Sequence, residues 1–330
     1  MRHHRAALRD FPVFNLLVLG ATGFVGQSVC EKLVERSGAA GGRIRVATRR
    51  PQRARHLQLL PTVELAIGDV HDDATLDWML RDTQAVINLV GILHGSEADF
   101  ERAHSRLPQR LGAACQRVGV RRVVHVSALG VATDAPSKYL RSKARGEAAL
   151  RAAALDLTIV RPSVIFGERD RFLNTFAMLQ SLLPAVPLAG ASARFQPVWV
   201  EDVAAAIVRC LDDPTTIGET IECAGPRVYT LRELVEAAGR WRGARRPVLA
   251  LPSLLGRLQA ATLEFMPGRP LMSRDNIDSM KAPSVASGKL PGLERLGIDP
   301  TPLEVIAPRY LGHASGEKRL EAWRARARRG

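Results

Sequence analysis

Cysteine is scarce in this chain, and the spacing of the cysteines argues against disulfide bonds and against a structural zinc site. Cys30, Cys115, Cys210 and Cys223 lie far apart in 330 residues, and no two form a Cys-x-x-Cys pair. A disulfide-stabilised secreted domain or a structural zinc site would need closer spacing. We therefore expect reduced, buried thiols in a cytoplasmic protein and no metal site.

Long apolar runs are also missing. No stretch approaches the roughly 18 to 20 apolar residues that cross a bilayer. The basic start, residues 1–5, is followed by Arg9 and Asp10 rather than by an uninterrupted apolar segment, which argues against a signal peptide. We expect a cytoplasmic protein whose membrane contact, if it has one, is peripheral and on the inner face.

Acidic residues are outnumbered, with 33 Asp and Glu against 47 Lys and Arg, for a net charge of +14. The arginines are densest in the C-terminal tail, residues 316–330. Such a tail could bind anionic lipid, an acidic protein partner or nucleic acid. The alternative is a solvated last helix in an arginine-rich protein, and nucleic acid is the partner that we least expect.

A glycine-rich turn near the N-terminus is the most informative motif. It follows an apolar run typical of a strand buried on both faces, and a helical pattern follows it. Its first glycine permits a tight turn, its second lets the backbone approach a pyrophosphate, and its third lets the helix pack on the strand. The spacing is G-x-x-G-x-x-G, and an ordinary glycine turn is the alternative. We predict that six residues of this turn contact a dinucleotide: Gly20, Thr22, Gly23, Phe24, Val25 and Gly26.

The end of the second predicted strand bears on the choice of nucleotide. Dinucleotide folds usually place an acid there, on the adenosine ribose, but this chain has Arg49 and Arg50. Guanidinium groups would neutralise a 2′-phosphate and give it paired hydrogen bonds. We therefore predict NADP(H) in preference to NAD(H), which remains possible. A solvated arginine pair before Pro51 is the alternative.

Two further strand ends should lie on the same rim. Asp69 follows the third strand and could accept a hydrogen bond from the adenine amino group, with Val70 against the ring. It could also cap the loop before the next helix, and we expect both roles together. Val90 and Gly91 end the fourth strand, where a side chain at position 91 would obstruct a cofactor. Ligands of parallel sheets bind outside the carboxyl ends of the strands.

Candidate chemistry follows the fifth strand. Ser127 ends that strand, and Tyr139 and Lys143 are four residues apart, on one face of the next helix. A lysine ammonium beside a phenol would lower the pKa of the tyrosine towards the range of a general acid or base. Ser127 could then hold a substrate carbonyl or hydroxyl. A surface tyrosine with a solvated lysine is the alternative.

These motifs resemble a known family over residues 14–310. The glycine turn, Ser127 and Tyr139-x-x-x-Lys143 are similar to those of extended and atypical short-chain dehydrogenase/reductases. Three longer segments resemble the branch that holds the NADPH-binding accessory subunit of respiratory complex I and its bacterial relatives. They are His125-Val126-Ser127-Ala128-Leu129, residues 139–147, and residues 161–167 followed by 170–174.

The resemblance implies two functions of different classes. In one, the protein keeps the reductase fold and its nucleotide and acts in the assembly or stability of a respiratory complex. In the other, it is an NADP-dependent reductase, epimerase or dehydratase acting on a small or nucleotide-linked substrate through Tyr139 and Lys143. The family also places Pro162, Ser163 and Val164 near the nicotinamide. Ala128 stands where extended members often carry another hydroxyl.

We predict a doubly wound α/β Rossmann fold with a parallel sheet. Residues 1–165 would form the nucleotide-binding domain and residues 166–315 a smaller lobe, with the chain returning to the sheet near 195–225. Within the lobe, Asp202 is expected to cap a helix over residues 203–211, and Thr230 a helix over 231–241. Residues 253–265 have the pattern of an amphipathic helix that either covers the lobe or faces a partner or membrane surface.

Overall fold

A computed structural model describes residues 15–37, 42–264 and 272–312. In these residues the strands are β1 (Leu16–Leu19), β2 (Ile44–Thr48), β3 (Val63–Ile67), β4 (Ala85–Asn88), β5 (Arg122–Val126), β6 (Asp156–Pro162), β7 (Ile165–Phe166), β8 (Val186–Leu188), β9 (Arg194–Phe195), β10 (Val198–Trp199), β11 (Thr220–Cys223), β12 (Tyr229–Thr230) and β13 (Val248–Ala250). The helices are α1 (Phe24–Ser37), α2 (Asp73–Leu80), α3 (Glu97–Glu101), α4 (Leu107–Val118), α5 (Lys138–Ala152), α6 (Leu173–Leu182), α7 (Val200–Asp212), α8 (Leu231–Arg242), α9 (Ser253–Glu264), α10 (Arg274–Ser279) and α11 (Leu303–Leu311). A π-helical turn, Arg102–Arg106, joins α3 to α4.

Seven strands form one parallel sheet in the order β3-β2-β1-β4-β5-β6-β11. The strand order runs outwards from β1 in both directions, and right-handed crossovers then place helices on both faces. The change of direction between β1 and β4 is the point at which such sheets hold ligands. The predicted doubly wound Rossmann fold is confirmed.

The two faces of the sheet bury alternate residues of each strand. On β1, Leu16 and Val18 join the apolar core under α1 and α7, whereas Leu17 and Leu19 join the core under α2, α4 and α5. All four side chains are at most 2% exposed. Because both faces are covered, the strand is continuously apolar in sequence instead of alternating. The four cysteines are buried and unpaired, as predicted.

The lobe has an apolar core of its own, to which α6, α8 and α11 contribute. Three short strand pairs accompany it: β7 with β10, β9 with β12, and β8 with β13. Helix α7 covers the central sheet, and β11 pairs with β6 at its edge. The domain limits at residues 165 and 315 stay a proposal.

Two helix starts in the lobe were predicted from side-chain capping. Thr230 caps α8 and forms a capping box with Glu233, as predicted. The prediction for Asp202 is wrong, because α7 begins at Val200 with Trp199 at its N-cap. Asp202 lies inside the first turn, where its buried carboxylate accepts hydrogen bonds from the backbone N and the hydroxyl of Thr301. It therefore ties α7 to the segment before α11.

None of the helices in the described part of the chain is long and apolar enough to cross a membrane. The basic tail, residues 316–330, lies outside the described residues.

Candidate functional site

The glycine turn connects β1 to α1 at the point where the strand order reverses. Gly20 has a φ of +82°, and a Cβ there would lie 2.9 Å from the carbonyl carbon of Leu89. A Cβ on Gly26 would lie 2.4 Å from both Cα and the carbonyl oxygen of Ala21. Gly26 thus lets α1 pack directly on the end of β1, which is the local role expected of it. Gly23 is exposed, and a Cβ there would meet the carbonyl oxygen of Gly20 at 3.2 Å.

The start of α1 presents backbone donors at this turn. Thr22 precedes the helix, and Phe24, Val25 and Gly26 are its first three residues. The first N–H groups of a helix have no partner within the helix, and the helix dipole favours an anion there. A pyrophosphate at this position is a proposal that the geometry permits.

Cationic side chains gather at the ends of β2 and β3. Arg49 and Arg50 are exposed directly after β2, and the backbone N of Arg50 donates to the Thr48 hydroxyl at 3.1 Å. The pKa of His71 is lowered by burial and then by the charge of Arg102; Asp69 opposes this shift, and Arg49 adds to it. The exposed guanidinium groups of Arg49 and Arg50 would suit a phosphate.

Asp69 is engaged within the protein. Its Oδ1 accepts a hydrogen bond from the backbone N of His71 at 3.1 Å, and its Oδ2 accepts one from Arg102 at 3.2 Å. This is the loop-capping role, one of the two considered from the sequence. Contact of Asp69 with adenine stays a prediction. Val70 and Val90 are both partly buried against the core under α2, α4 and α5.

Lys143 connects the ends of β4 and β5. Its side chain is buried, and Nζ donates to the carbonyl oxygens of Val126 at 3.0 Å and Val90 at 3.5 Å. A Cβ on Gly91 would lie 3.4 Å from Nζ, so glycine keeps this space open. Burial lowers the pKa of Lys143 to about 8, and the charge of Glu147 opposes that shift. The ammonium lies on the rim where the nucleotide is proposed to bind.

The π-helical turn between α3 and α4 brings His104 to the same place. Its Nε2 accepts from the backbone N of Ile92 at 3.0 Å, so Nδ1 carries the proton and donates to the Ser142 hydroxyl at 2.9 Å. Burial and the charge of Lys143 lower the pKa of His104 to about 2. A Cβ on Gly146 would lie 1.9 Å from the carbonyl oxygen of His104, so α5 can pack against the π turn through that glycine. His104 therefore links the loop after β4 to α5 as a neutral side chain.

Tyr139 differs from the sequence-based expectation. Its ring packs edge-on against His104, with centroids 5.3 Å apart, and against Phe100 at 6.1 Å. Tyr139 is partly buried, and desolvation by the groups around it raises the pKa of the phenol to about 12. The predicted lowering by Lys143 is therefore wrong, since desolvation by the surrounding rings and helix decides the direction of the shift. The phenol is protonated at neutral pH.

Ser127 lies at the end of β5, next to the carbonyl that binds Lys143. Its hydroxyl oxygen is buried and has no hydrogen-bond partner in the described residues. The neighbouring His125 is also buried; Asn88 Nδ2 donates to its Nδ1 at 3.1 Å, and Asn88 Oδ1 accepts from the backbone N of Val90. Burial and the charge of Lys143 lower the pKa of His125 to about 3, so the ring is neutral. Ser127 thus adds a buried hydroxyl that a ligand could bind.

The segment after β6 connects the sheet to the lobe. The carbonyl oxygen of Pro162 accepts from the backbone N of Leu129, and that of Val164 accepts from the backbone N of Val198. Between them, the Ser163 hydroxyl donates to the carbonyl oxygen of Ser284 at 2.7 Å. Pro162 and Val164 are held on the rim by these bonds, and their contact with nicotinamide stays a prediction.

Helix α10 reaches from the lobe to the start of α5. The Asp275 carboxylate accepts hydrogen bonds from the backbone N of Lys138 at 2.7 Å and of Tyr139 at 3.2 Å. Asn276 Nδ2 donates to the carbonyl oxygen of Leu93 in the loop after β4. Helix α10 is therefore tied to the start of α5 and to the loop after β4. The sequence pattern contains no signal for Asp275 or His104, because each role depends on packing between distant segments.

Replacing Asp275 with alanine is expected to lower the free energy of unfolding by about 1 kcal/mol, since two N–H groups at a helix start lose their acceptor. Urea denaturation measures the change. The matched control is Asp278→Ala on the same helix, whose carboxylate pairs with the exposed side chains of Lys281 and, at 3.7 Å, Arg257. These surface pairs should together contribute less than about 0.5 kcal/mol. Equal effects of the two variants would contradict the capping role of Asp275.

Comparison with known proteins agrees with this geometry. The NAD(P)H-binding family matches residues 20–214. The chain is 34% identical over 306 residues to the mitochondrial NADH dehydrogenase (ubiquinone) 1 alpha subcomplex subunit 9 of Mus musculus, covering 87% of this chain and 77% of that protein. It is 28% identical to the mitochondrial NADH-ubiquinone oxidoreductase 40 kDa subunit of Neurospora crassa, covering 89% and 78%.

A solved structure supports the fold. The NADPH-dependent quinone oxidoreductase of Escherichia coli, crystallised with NADPH, superposes with a TM-score of 0.71 at 19% identity. The match covers 90% of this chain and 99% of that one. The resemblance inferred from the motifs is confirmed. The chain belongs to the NAD(P)H-binding family of Rossmann proteins, in the branch that includes the mitochondrial NADH dehydrogenase alpha subcomplex subunit 9.

Proposed function

We propose that this protein binds NADP(H) and serves as an accessory or assembly protein of a respiratory NADH:quinone oxidoreductase. In this role the bound nucleotide either stabilises the fold or makes the protein respond to the cellular NADP(H) concentration. The two mitochondrial relatives, from Mus musculus and Neurospora crassa, are named as subunits of such oxidoreductases. Association with the respiratory complex would place the protein on the inner face of the membrane, as a peripheral component.

The packing of Tyr139 against His104 and Phe100, together with the binding of Lys143 by backbone carbonyls, is the observation that carries this proposal. A general acid or base works best when its pKa lies near the operating pH. The pKa of the Tyr139 phenol is about 12, raised by burial, while Lys143 is bound by two backbone carbonyls. The rim thus has the features expected of a nucleotide cradle, while desolvation shifts the pKa of Tyr139 away from the range that suits proton transfer. Ala128 stands beside Ser127 in place of a second hydroxyl, which also favours the accessory role over catalysis.

Purification of the native protein at low salt tests the proposal. Mass spectrometry should find NADH dehydrogenase subunits together with this chain, and NADPH retained on it. If the chain purifies alone with freely exchanging nucleotide, and a Tyr139→Phe variant abolishes a reductase activity of the wild type, then the protein is an enzyme. That result would replace our proposal with a reductase, epimerase or dehydratase acting on a small substrate.

Arg49 and Arg50 are proposed to bind the 2′-phosphate and so to favour NADP(H) over NAD(H). Replacing both with alanine should weaken NADPH binding by about 10- to 100-fold, since charge-assisted hydrogen bonds to a phosphate are lost. NADH, which lacks that phosphate, should bind almost as before. Calorimetric titration with each nucleotide measures both affinities.

A control variant separates this effect from a general loss of positive charge. Arg53→Ala removes an exposed arginine from the 3₁₀ turn that follows the pair, and should leave both affinities nearly unchanged. Equal losses for NADPH and NADH in the double variant would refute the phosphate role.

A further inference from the structure

Helix α9 exposes its large apolar residues and buries its small ones. Gly256 and Ala260 are its buried residues, and a Cβ on Gly256 would lie 2.7 Å from the Cβ of Ala189. The helix therefore lies on the lobe through small side chains. Its outward face carries three leucines that are 78%, 51% and 62% exposed: Leu254, Leu255 and Leu258.

This arrangement is the reverse of an ordinary surface helix, which turns its leucines inward. Positions 254 and 258 are four residues apart and are neighbours on the helix surface. The three leucines thus form one continuous apolar stripe. A contiguous apolar stripe with charged residues beside it is typical of an interaction surface.

The sequence around α9 is unusually basic. Residues 237–263 contain five arginines and neither Asp nor Glu, so their formal charge is +5; Glu264, the last residue of α9, pairs with Arg274. All five arginines are exposed: Arg240, Arg242, Arg245, Arg246 and Arg257. Arg257 lies on α9 itself, beside the leucine stripe, and its Nη1 is 3.7 Å from a carboxylate oxygen of Asp278. Leu249, in the same segment, is 53% exposed.

We propose that α9 and the basic residues before it form a docking surface for an anionic lipid membrane. Leucines that enter the boundary between headgroups and acyl chains gain apolar burial, while the arginines remain among the lipid phosphates. An anionic bilayer matches both features of this surface: its acyl chains can take up the leucines, and its charged headgroups can bind the arginines. The proposal is independent of the nucleotide site, because α9 lies in the lobe and the glycine turn lies at the carboxyl ends of the sheet strands.

Sedimentation of the full-length protein with lipid vesicles tests this surface. The vesicles are phosphatidylcholine alone or a two-to-one mixture with phosphatidylglycerol. The wild type should bind the mixed vesicles, and should bind them less as salt screens the arginines. The Leu254→Gln, Leu258→Gln double variant should bind about tenfold more weakly, since two leucines no longer enter the bilayer. Leu182→Gln changes a leucine on α6 that is 71% exposed, and should bind like the wild type.

Three results would overturn the proposal. The first is equal binding of the double variant and the wild type. The second is loss of binding on removal of the tail, residues 316–330, with no effect of the leucine changes, which would assign binding to the tail. The third is a wild type that binds neither vesicle while the leucine changes release it from a purified oxidoreductase, which would identify a protein partner. Each variant is also titrated with NADPH, so a failed nucleotide site is recognised separately.

Discussion

A Gly26→Ala variant is expected to lose about 3 kcal/mol of its free energy of unfolding, because an added methyl group cannot be accommodated. Its Cβ would lie 2.4 Å from the Cα and the carbonyl oxygen of Ala21, and both are backbone atoms. Relief of this overlap requires α1 to move away from β1, which opens the core that Val29 and Leu33 form with the sheet. Urea denaturation followed by circular dichroism measures the loss.

Gly23→Ala provides the matched control in the same turn. Its Cβ would meet a single neighbouring atom, the carbonyl oxygen of Gly20 at 3.2 Å, so the fold should be destabilised by less than about 1 kcal/mol. If Gly23 faces the pyrophosphate as proposed, the same change should weaken NADPH binding by about tenfold or more. A stable Gly26→Ala variant would contradict the close packing of helix on strand. An unchanged NADPH affinity in Gly23→Ala would contradict the cradle.

The second large effect concerns the buried charge of Lys143. In the folded protein its pKa is about 8, against 10.5 for an ordinary lysine, because burial disfavours the ammonium. Between pH 8 and 10.5 the unfolded chain therefore holds a proton on this lysine that the folded chain has released. Stability contributed by this group rises with pH over that window and is lowest below pH 8.

Comparison with Lys143→Met isolates this contribution between pH 8 and 10.5, since His104 and His125, whose pKa values the charge of Lys143 lowers, are already neutral in that range. The free energy of unfolding of the wild type, minus that of the variant, should increase by about 2 to 3 kcal/mol from pH 8 to pH 10.5. Urea denaturation at several pH values gives the difference directly. A difference that does not change with pH would show that the ammonium is not desolvated. We also expect the variant to lose NADPH affinity.

The order of sheet, turn and helix was predictable because it depends on short segments. Leu16–Leu19 is apolar at every position, which requires a strand covered on both faces. Gly26 follows at the spacing that close packing of the first helix needs, and Thr230 with Glu233 forms the capping box that three-residue spacing predicts. Each of these features is decided by neighbours in the chain.

The candidate site was predictable in its residue types but not in its electrostatics. Tyr139 and Lys143 share a helix face, which suggested a lowered tyrosine pKa. The ring of Phe100 on α3 and that of His104 in the π-helical turn pack edge-on against Tyr139, which no local pattern reveals, and desolvation raises the pKa of the phenol instead. Similarly, Asp202 follows the rule for a helix cap, yet α7 begins earlier and Asp202 binds Thr301.

The sequence by itself determined the Rossmann fold, the family and the positions of the glycine turn, because strand burial, helix starts and tight turns are local requirements. The tertiary structure alone decided the raised pKa of Tyr139, the neutral His104, the hydrogen bonds from the start of α5 to Asp275 and the outward leucines of α9. Those properties depend on which surfaces meet. Desolvation and exposure are set by atoms far away in the chain, so they appear only when the lobe, the π turn and the sheet are brought together.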